Sequence, residues 1–355
     1  MSRGQWLLYG ATGYTGQLIA EEAVRRGMRP VLAGRHPGRV AALAATLGLE
    51  HVVFDLMGPA YVEKIVRNYD AVLHCAGPFF ETYRAMVDGC IAAGTHYLDI
   101  TGEIAVFEAC ARRDERARNA GVVLLPGVGF DVVPSDCLAA SLHATLPTAT
   151  HLELAFGGGA GFSRGTAKTM VSGFGLGGAI RRGGKIVRVP LAWRARTIHF
   201  RDKARYAVTI PWGDVSTAFH STGIPDIEVY TAMPPKTVQL MRLGRWISPL
   251  LALGPVRALA IKRVDATVTG PSAERRDATR MQLWGRVSDA AGHFHEATLV
   301  TPEGYSLTAI AAVEAVHRLL GGGVAAGFRT PSLAFGADFV TQLPGCDLQW
   351  GSSAP

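Results

Sequence analysis

The clearest indication of the fold is the stretch LLYGATGYTGQLIAEEAVRRG, residues 7–27. A short apolar run meets three glycines, Gly10, Gly13 and Gly16, and a helical pattern follows at once. In a dinucleotide-binding turn, such glycines permit the tight turn, the approach of backbone N–H groups to a pyrophosphate and close helix–strand packing. The helix N-terminus then directs N–H groups and a positive dipole end at the phosphates. The stretch therefore predicts a dinucleotide-binding turn, with a plain glycine turn as the alternative.

Short apolar segments alternate with helical segments over the first 145 residues or so. This alternation predicts an α/β domain, a doubly wound Rossmann sheet of parallel strands with about six strands. After residue 148 hairpin patterns replace the crossovers, for example over 281–302 with a turn near 290–292. We therefore predict a Rossmann domain over 1–147 and an inserted α+β domain with an antiparallel sheet over 148–301. A C-terminal helix and tail over 302–355 are expected to return to the Rossmann domain.

Composition and charge narrow the class of protein. The chain has 355 residues, 48% of them apolar, and a formal net charge of +7. The basic residues are dispersed, so we expect an anionic cofactor or substrate and no nucleic acid. The five cysteines have no metal-site spacing, which favours reduced thiols in a cytoplasmic protein and no bound metal. No apolar run reaches the ~18 residues that crossing a membrane requires.

The second predicted strand ends in LAGRH, where an NAD site usually has an acidic residue that binds the ribose. Arg35 stands there instead, and a guanidinium is suited to a 2′-phosphate and to stacking on adenine. The sequence therefore predicts NADP(H). Asp55 would accept from the adenine amino group, or would cap a helix. The CAGPF segment closes the fourth strand at the edge where ligands bind. The predicted cofactor contacts are Gly10, Ala11, Thr12, Gly13, Tyr14, Thr15, Gly16, Arg35, Asp55, Cys75, Ala76, Gly77, Pro78 and Gly102.

Several segments together resemble the saccharopine dehydrogenase-like reductases. They are GATGYTG (10–16), AGR (33–35), CAGPF (75–79), HYLDITGE (96–103), PGVGFDVVPSD (126–136) and the tail GFRTPSLAFGADFV (327–340). The family includes saccharopine reductases and trans-acting enoyl reductases. The resemblance implies an NADPH-dependent oxidoreductase that reduces an activated C=C bond of enoyl type or a C=N bond of an imine. The substrate would be a small molecule or a carrier-bound group.

Three acidic residues at predicted strand ends are candidates for a proton donor. Asp99, Glu103 and Asp131 would each serve if burial raised the pKa, although capping and loop shaping are the alternative for each. Asp131 is preferred because Gly127 and Gly129 precede it and indicate close backbone packing. Water is the other source of a proton, since hydride transfer chiefly needs positioning. Phe130 is expected to contact the substrate.

Two other enzyme classes are alternatives to a reductase of this family. A short-chain dehydrogenase needs Tyr-x-x-x-Lys, and no tyrosine here has a lysine four residues later. A semialdehyde or acyl-phosphate dehydrogenase needs a cysteine nucleophile, and Cys137 in PSDCLAAS is the candidate, with burial in a helix as the alternative. A non-enzymatic NADPH-sensing or scaffold protein remains a further alternative.

The second predicted domain offers two more features. Arg164 and Lys168 stand four residues apart on a predicted helix and would hold a substrate carboxylate or phosphate, unless they form a solvated face. The apolar and basic stretch over residues 238–263 would suit a membrane surface, the core or a dimer interface. We accordingly expect a homodimer, and peripheral membrane contact is the alternative.

Overall fold

The computed structural model describes residues 4–172, 177–244 and 254–354. Its internal contacts divide the chain into two compact units. The first unit ends at Val133 and resumes with Tyr305–Gly336, and the second comprises Pro134–Gly304 and the residues after Gly336. The predicted boundaries at 147/148 and 301/302 therefore differ from the observed divisions. The largest difference concerns residues 134–147, which belong to the second unit.

The described residues contain sixteen strands. They are β1 (Trp6–Tyr9), β2 (Val31–Gly34), β3 (His51–Val53), β4 (Ala71–His74), β5 (His96–Asp99), β6 (Val123–Leu125), β7 (His151–Gly157), β8 (Gly178–Arg182), β9 (Lys185–Val189), β10 (Ala195–His199), β11 (Ala204–Thr209), β12 (Asp226–Ala232), β13 (Arg280–Ser288), β14 (Phe294–Pro302), β15 (Gly327–Phe328) and β16 (Asp347–Ala354).

Fourteen α-helices occur in the same residues. They are α1 (Tyr14–Arg25), α2 (Pro37–Leu47), α3 (Pro59–Val66), α4 (Phe79–Ala93), α5 (Ile104–Ala111), α6 (Asp114–Asn119), α7 (Val133–Thr145), α8 (Arg164–Ser172), α9 (Asp214–Thr222), α10 (Pro235–Gly244), α11 (Gly254–Thr267), α12 (Ala273–Asp277), α13 (Gly304–Leu320) and α14 (Pro331–Phe335). A 3₁₀-helix spans Val340–Gln342.

The first unit is built on a parallel sheet of seven strands in the order β15-β6-β5-β4-β1-β2-β3. Its central strands β1, β2 and β4 are buried along their whole length, which explains their continuous apolar sequences. The chain order reverses beside β1, between β2 and β4, and ligands of doubly wound sheets bind at such a switch point. The predicted Rossmann fold is confirmed.

Tyr305–Gly336 belong to this unit as well. Arg26 on α1 forms an ion pair of 2.9 Å with Glu314 on α13. β15 adds a seventh strand beside β6, where Phe328 aligns with Leu124. The count of about six strands therefore missed a two-residue strand, which is too short to leave a pattern in the sequence.

The second unit contains a mixed sheet in the order β10-β11-β12-β7-β13-β14-β16, with β8 and β9 attached through β12. The predicted hairpin is present as β13 and β14. Arg280 lies opposite Pro302 at its open end, and Ser288 lies opposite Phe294 beside its turn. β7 and β12 pair in parallel, the other pairs being antiparallel. The predicted α+β class is confirmed.

Helix α7 lies in this second unit because it packs on β13. A Cβ on Gly285 would lie 2.7 Å from Leu142 and 3.1 Å from Leu138, so the helix rests directly on the strand backbone. The sequence offered no sign of this, because α7 continues the α/β alternation that precedes it.

One further prediction needs correction. The tail after Gly336 does not return to the Rossmann unit, because β16 pairs with β14 of the second sheet. In the glycine-rich segment 173–184, residues 173–176 lie outside the described residues, and β8 begins at Gly178 and forms a hairpin with β9. Gly183 and Gly184, both with positive φ, make the tight turn of that hairpin.

Candidate functional site

The glycine turn, residues 10–16, links β1 to α1. Its backbone packs too closely for a side chain at Gly10 or Gly16. Gly10 has a φ of 81°, and a Cβ there would lie 2.8 Å from the backbone N of Ala76. The N–H groups of Gly10 and Ala11 donate to the carbonyl oxygen of Ala33 at 2.9 and 3.2 Å, which fixes the turn on β2. A Cβ on Gly16 would overlap the carbonyl oxygen of Gly10. The turn therefore brings its backbone close to residues 75–78, which we call the CAGP segment, as a phosphate-binding loop requires.

Helix α1 begins immediately after this turn. Gly13 is its N-cap residue and contributes no side-chain cap, and the first turn contains no acidic residue. The N–H groups of a first helical turn have no acceptor within the helix, and they carry the positive end of its dipole. The space in front of Gly13, Tyr14 and Thr15 thus suits an anion, and a dinucleotide pyrophosphate fits this cradle.

A basic cluster lies where β2 meets α2. Arg35, His36 and Arg39 are all exposed, and Arg35 Nε is 3.3 Å from His36 Nε2. Arg39 Nη2 donates to the carbonyl oxygen of Thr12 at 3.0 Å, so α2 is tied to the glycine turn. The sequence prediction named Arg35 alone. Helix α2 begins at Pro37, so Arg39 lies about one helical turn after Arg35. This spacing of four residues could have indicated the second cation.

Asp55 lies near this cluster but not at the end of a strand. β3 ends at Val53, and Asp55, two residues later, is exposed, with Oδ1 accepting from the N–H of Leu56 at 2.8 Å. Burial raises the pKa of Tyr9 to about 12, while the charge of Asp55 raises it and that of Arg35 lowers it. Arg35 and Asp55 therefore both lie close enough to Tyr9 for their charges to act on its pKa.

The CAGP segment is held from both sides. The N–H of Cys75 donates to the carbonyl oxygen of Tyr9 at 2.8 Å. The hydroxyl of Thr82 donates to the carbonyl oxygen of Ala76 at 2.8 Å and lies 2.9 Å from His74 Nε2. Because that hydroxyl has one proton, His74 donates through Nε2, and burial keeps it neutral by lowering its pKa to about 3. Neither His74 nor Thr82 was singled out from the sequence.

Two of the three acidic candidates have structural roles. Glu103 caps α4: its two carboxylate oxygens accept from the N–H groups of Phe79 and Phe80, each at 2.9 Å. Asp99 is fully buried, accepts from the Tyr97 hydroxyl at 2.6 Å and from the N–H groups of Thr101 and Gly127 at 2.9 and 2.8 Å. Burial raises the pKa of Asp99 to about 6 despite these bonds. Both side chains shape the backbone around the site.

Asp131 is the acidic candidate that faces another predicted site residue. A Cβ on Gly102 would lie 2.7 Å from Asp131 Oδ2, so the carboxyl group rests against the Gly102 backbone. Burial raises the pKa of Asp131 to about 7. A carboxyl group with such a pKa holds a proton near neutral pH and can release it, which is what a general acid needs.

Helix α13 supports this segment through Thr308 and Tyr305, neither of which was singled out from the sequence. Thr308 Oγ1 accepts from the N–H of Phe130 at 3.0 Å, and a Cβ on Gly129 would lie 2.9 Å from Thr308 Cγ2. The Tyr305 ring packs edge-on against Tyr14, with ring centroids 5.0 Å apart. Phe130 itself is buried. No local pattern links Phe130 to Thr308, which are 178 residues apart, so only the fold reveals this support.

The remaining candidates belong to the second unit. Cys137 on α7 is fully buried, and burial raises the pKa of its thiol well above the usual value, the opposite of an activated nucleophile. Arg164 is exposed at the start of α8, where its Nε donates to the carbonyl oxygen of Val268 at 3.2 Å. Lys168 is half-buried one turn later on the same helix.

No metal site is evident in the part of the chain that the structure describes, where no three His, Cys, Asp or Glu side chains are grouped as ligands. Among the described helices, none has both the length and the apolarity that crossing a bilayer would take.

Comparison with known proteins identifies the first unit. Residues 6–125 match the family model of the saccharopine dehydrogenase NADP-binding domain. A rat saccharopine dehydrogenase-like oxidoreductase is 28% identical over 204 residues, 50% of this chain and 48% of that protein. A trans-acting enoyl reductase of Mycobacterium ulcerans is 33% identical over 138 residues, 37% of this chain and 33% of that protein. The chain thus spans about half, or less, of the length of these curated relatives.

The solved structures extend the likeness of fold beyond that domain. Apo saccharopine dehydrogenase (L-Glu forming) from Saccharomyces cerevisiae superposes with a TM-score of 0.64 over 98% of this chain and 100% of that chain, at 12% identity. At this identity the match shows the fold alone. The predicted resemblance and the predicted NADP cofactor are both confirmed for the N-terminal domain.

Proposed function

Residues 6–125 are a saccharopine dehydrogenase NADP-binding domain, and from this premise we propose that the chain is an NADPH-dependent reductase of an activated double bond. A C=C bond of enoyl type is the first candidate, because one of the similar proteins is named an enoyl reductase. A C=N bond is the second, because the family resemblance also includes saccharopine reductases. The observation that carries the proposal is the Asp131 carboxyl group, whose pKa burial raises to about 7, against Gly102 at the sheet edge.

The residues of the first unit divide the task of binding. The glycine turn and the start of α1 would hold the pyrophosphate through backbone N–H groups. Arg35 would bind the 2′-phosphate, Arg39 would hold the glycine turn through Thr12, and Asp55 would face the adenine. The CAGP segment, fixed by Thr82 and Glu103, would line the cofactor between these sites and Gly102. Bound NADPH would supply a hydride, which carries both electrons of the reduction.

Asp131 would supply the matching proton. Reduction of a double bond adds one hydride and one proton, so a proton donor completes the balance. Asp131 would protonate the carbon next to the activating carbonyl of an enoyl group, or the nitrogen of an imine. It would then recover a proton from solvent, since its side chain is partly exposed. Thr308 holds the backbone of Phe130, the residue immediately before Asp131, and so keeps this carboxyl group in place.

The experiment pairs binding with turnover. Purified protein is titrated with NADPH by calorimetry, and NADPH consumption is then followed with an enoyl thioester and with a cyclic imine. Asp131→Asn should retain NADPH affinity within about two-fold and lose turnover by about 10²-fold or more, the usual contribution of a general acid. Asn is isosteric, so binding serves as the folding control.

The other outcomes are equally informative. Full turnover in Asp131→Asn would assign the proton to water and remove Asp131 from the mechanism. Turnover of the imine alone would select the C=N reaction. Tight NADPH binding with no turnover of either substrate would favour the NADPH-sensing alternative over the enzyme.

A further inference from the structure

Helix α10 is apolar on two opposite sides, and the residues that the structure describes cover only one of them. Val238 is buried against Ala192 and Val208, and Arg242 Nε donates to the carbonyl oxygen of Ala192 at 3.3 Å, so this side seats the helix on the second unit. On the other side Leu240 and Leu243 are 68% and 67% exposed. A surface helix of a globular protein normally carries polar residues there. The exposed leucines therefore indicate a contact that the described residues do not make.

A further exposed apolar side chain stands in the chain next to the seat of α10. Trp193 follows Ala192, the residue on which α10 is seated, and it is 42% exposed. Tryptophan combines a large apolar ring with a polar N–H, and for that reason it is enriched at membrane–water interfaces. Trp193, Leu240 and Leu243 together form what we call the α10 patch.

The segment of the chain that contains α10 carries only basic charges. Between Glu228 and Asp265 the sequence contains no acidic residue, whereas its basic residues are Lys236, Arg242, Arg245, Arg257, Lys262 and Arg263. Lys236 is exposed on α10 itself, seven residues before Leu243. Further along the run, α11 exposes Leu259 at 70%, followed by exposed Lys262 and Arg263. The run thus repeats the combination of exposed leucine and cation on a second helix.

We propose that the α10 patch binds the surface of an anionic lipid bilayer. Leucine and tryptophan side chains would enter the boundary between headgroups and acyl chains, and the basic residues would face the anionic headgroups. With ten residues, α10 is too short to span a membrane and would lie along its surface. A second copy of this chain fits less well, because a symmetric contact through this patch would bring basic residues against basic residues.

The test is flotation of the 355-residue chain with lipid vesicles. Vesicles containing phosphatidylglycerol should carry the protein, while vesicles of phosphatidylcholine alone should carry about ten-fold less or none. Raising the salt from physiological strength to 1 M shortens the Debye length from about 8 Å to about 3 Å and should weaken the binding. Leu240→Asn/Leu243→Asn should reduce the bound fraction by about ten-fold or more.

Matched controls isolate the patch. Met57 in the first unit is 79% exposed, so Met57→Asn removes a comparable exposed side chain from another surface and should leave vesicle binding unchanged. Thermal unfolding should be the same in all variants, since the substituted side chains are exposed. NADPH binding should also be unchanged, which separates this proposal from the proposed function.

Three results would overturn the proposal. They are no flotation with phosphatidylglycerol vesicles at low salt, unchanged flotation of the double leucine variant, and equal flotation with phosphatidylcholine. A dimer in light scattering that the double variant dissociates, without vesicle binding by the wild type, would assign the patch to a second copy instead.

Discussion

Gly102 and Asp131 touch so closely that residue 102 cannot carry a side chain without moving the carboxyl group. A Cβ on Gly102 would lie 2.7 Å from Asp131 Oδ2 and 3.2 Å from its Cγ. The two residues belong to different loops, one after β5 and one after β6. Because these strands are parallel, both loops begin at the same end of the strands. The position of the proposed proton donor is therefore set by the backbone of a neighbouring loop.

Gly102→Ala should lower turnover while leaving the fold intact. The added methyl group would displace the Asp131 side chain at a free-energy cost of about 1–3 kcal/mol, as overpacking does in general. We expect kcat to fall more than NADPH affinity, measured by steady-state kinetics and calorimetry. Gly244→Ala is the matched control, because nothing lies within 4 Å of a Cβ there. An unchanged kcat in Gly102→Ala would show that this contact does not position the acid.

The pKa of Asp131 also predicts how stability and activity change with pH. Burial raises this pKa from its ordinary value of 3.8 to about 7, so the folded protein binds more protons than the unfolded chain between these values. Asp131 therefore contributes a loss of stability as pH rises from about 4 to about 7. Asp131→Asn should flatten this slope and be the more stable protein at pH 8 in denaturant unfolding. If the pH profiles of both proteins coincide, the pKa of Asp131 is not raised.

The same sign applies to activity. The protonated carboxyl group is the form that donates, so turnover should fall as pH rises through about 7. Asp99, whose pKa burial raises to about 6, acts on stability in the same direction but donates no proton to substrate. A pH profile of kcat with no decline near neutrality would contradict the role given to Asp131.

Arg35 and Arg39 should affect cofactor binding differently. Arg35→Ala should weaken NADPH by about ten-fold, or about 1.4 kcal/mol, and leave NADH unchanged, because only NADPH has the 2′-phosphate. Arg39→Ala should weaken both cofactors, because it releases the Thr12 carbonyl oxygen of the glycine turn. Calorimetric titration measures both. Arg25→Ala on the exposed side of α1 is the control, and equal behaviour of the two variants would reject the distinction.

Thr82→Val should loosen the CAGP segment. Valine keeps the shape but removes the hydroxyl that donates to Ala76 and accepts from His74. Leaving the His74 N–H without an acceptor costs about 1–3 kcal/mol of stability. NADPH affinity should fall as well. Thr46→Val, which removes an exposed hydroxyl bonded to its own helix, should change stability by about 0.5 kcal/mol or less.

Cys137→Ala separates the two enzyme hypotheses. A reductase should keep its turnover within about two-fold, and the loss of a buried side chain should lower stability by about 1 kcal/mol. Complete loss of turnover with stability retained would instead make Cys137 a nucleophile. Steady-state kinetics together with denaturant unfolding distinguish these results.

The parts of the fold that sequence reasoning predicted well are those with local causes. Buried parallel strands give continuous apolar runs, and the turn at Gly10 and the cation at Arg35 follow from their immediate neighbours. Contacts between distant segments left no such pattern. Thr308 beneath Phe130, Tyr305 against Tyr14 and the pairing of β16 with β14 depend on tertiary packing. Glu103 illustrates the limit for single residues, since the same carboxylate fits a cap and an acid until its partners are known.

The division of the first unit into two separate stretches has a consequence for how the protein forms. Strand β6 remains an open sheet edge until β15 pairs with it, and the whole of Pro134–Gly304 lies between them in the chain. During synthesis the Rossmann sheet is therefore incomplete until most of the protein has left the ribosome. Closing so long a loop slows folding, and an uncovered parallel edge invites pairing with other chains. Fragments that stop before α13 should consequently aggregate, even though they contain the entire glycine turn.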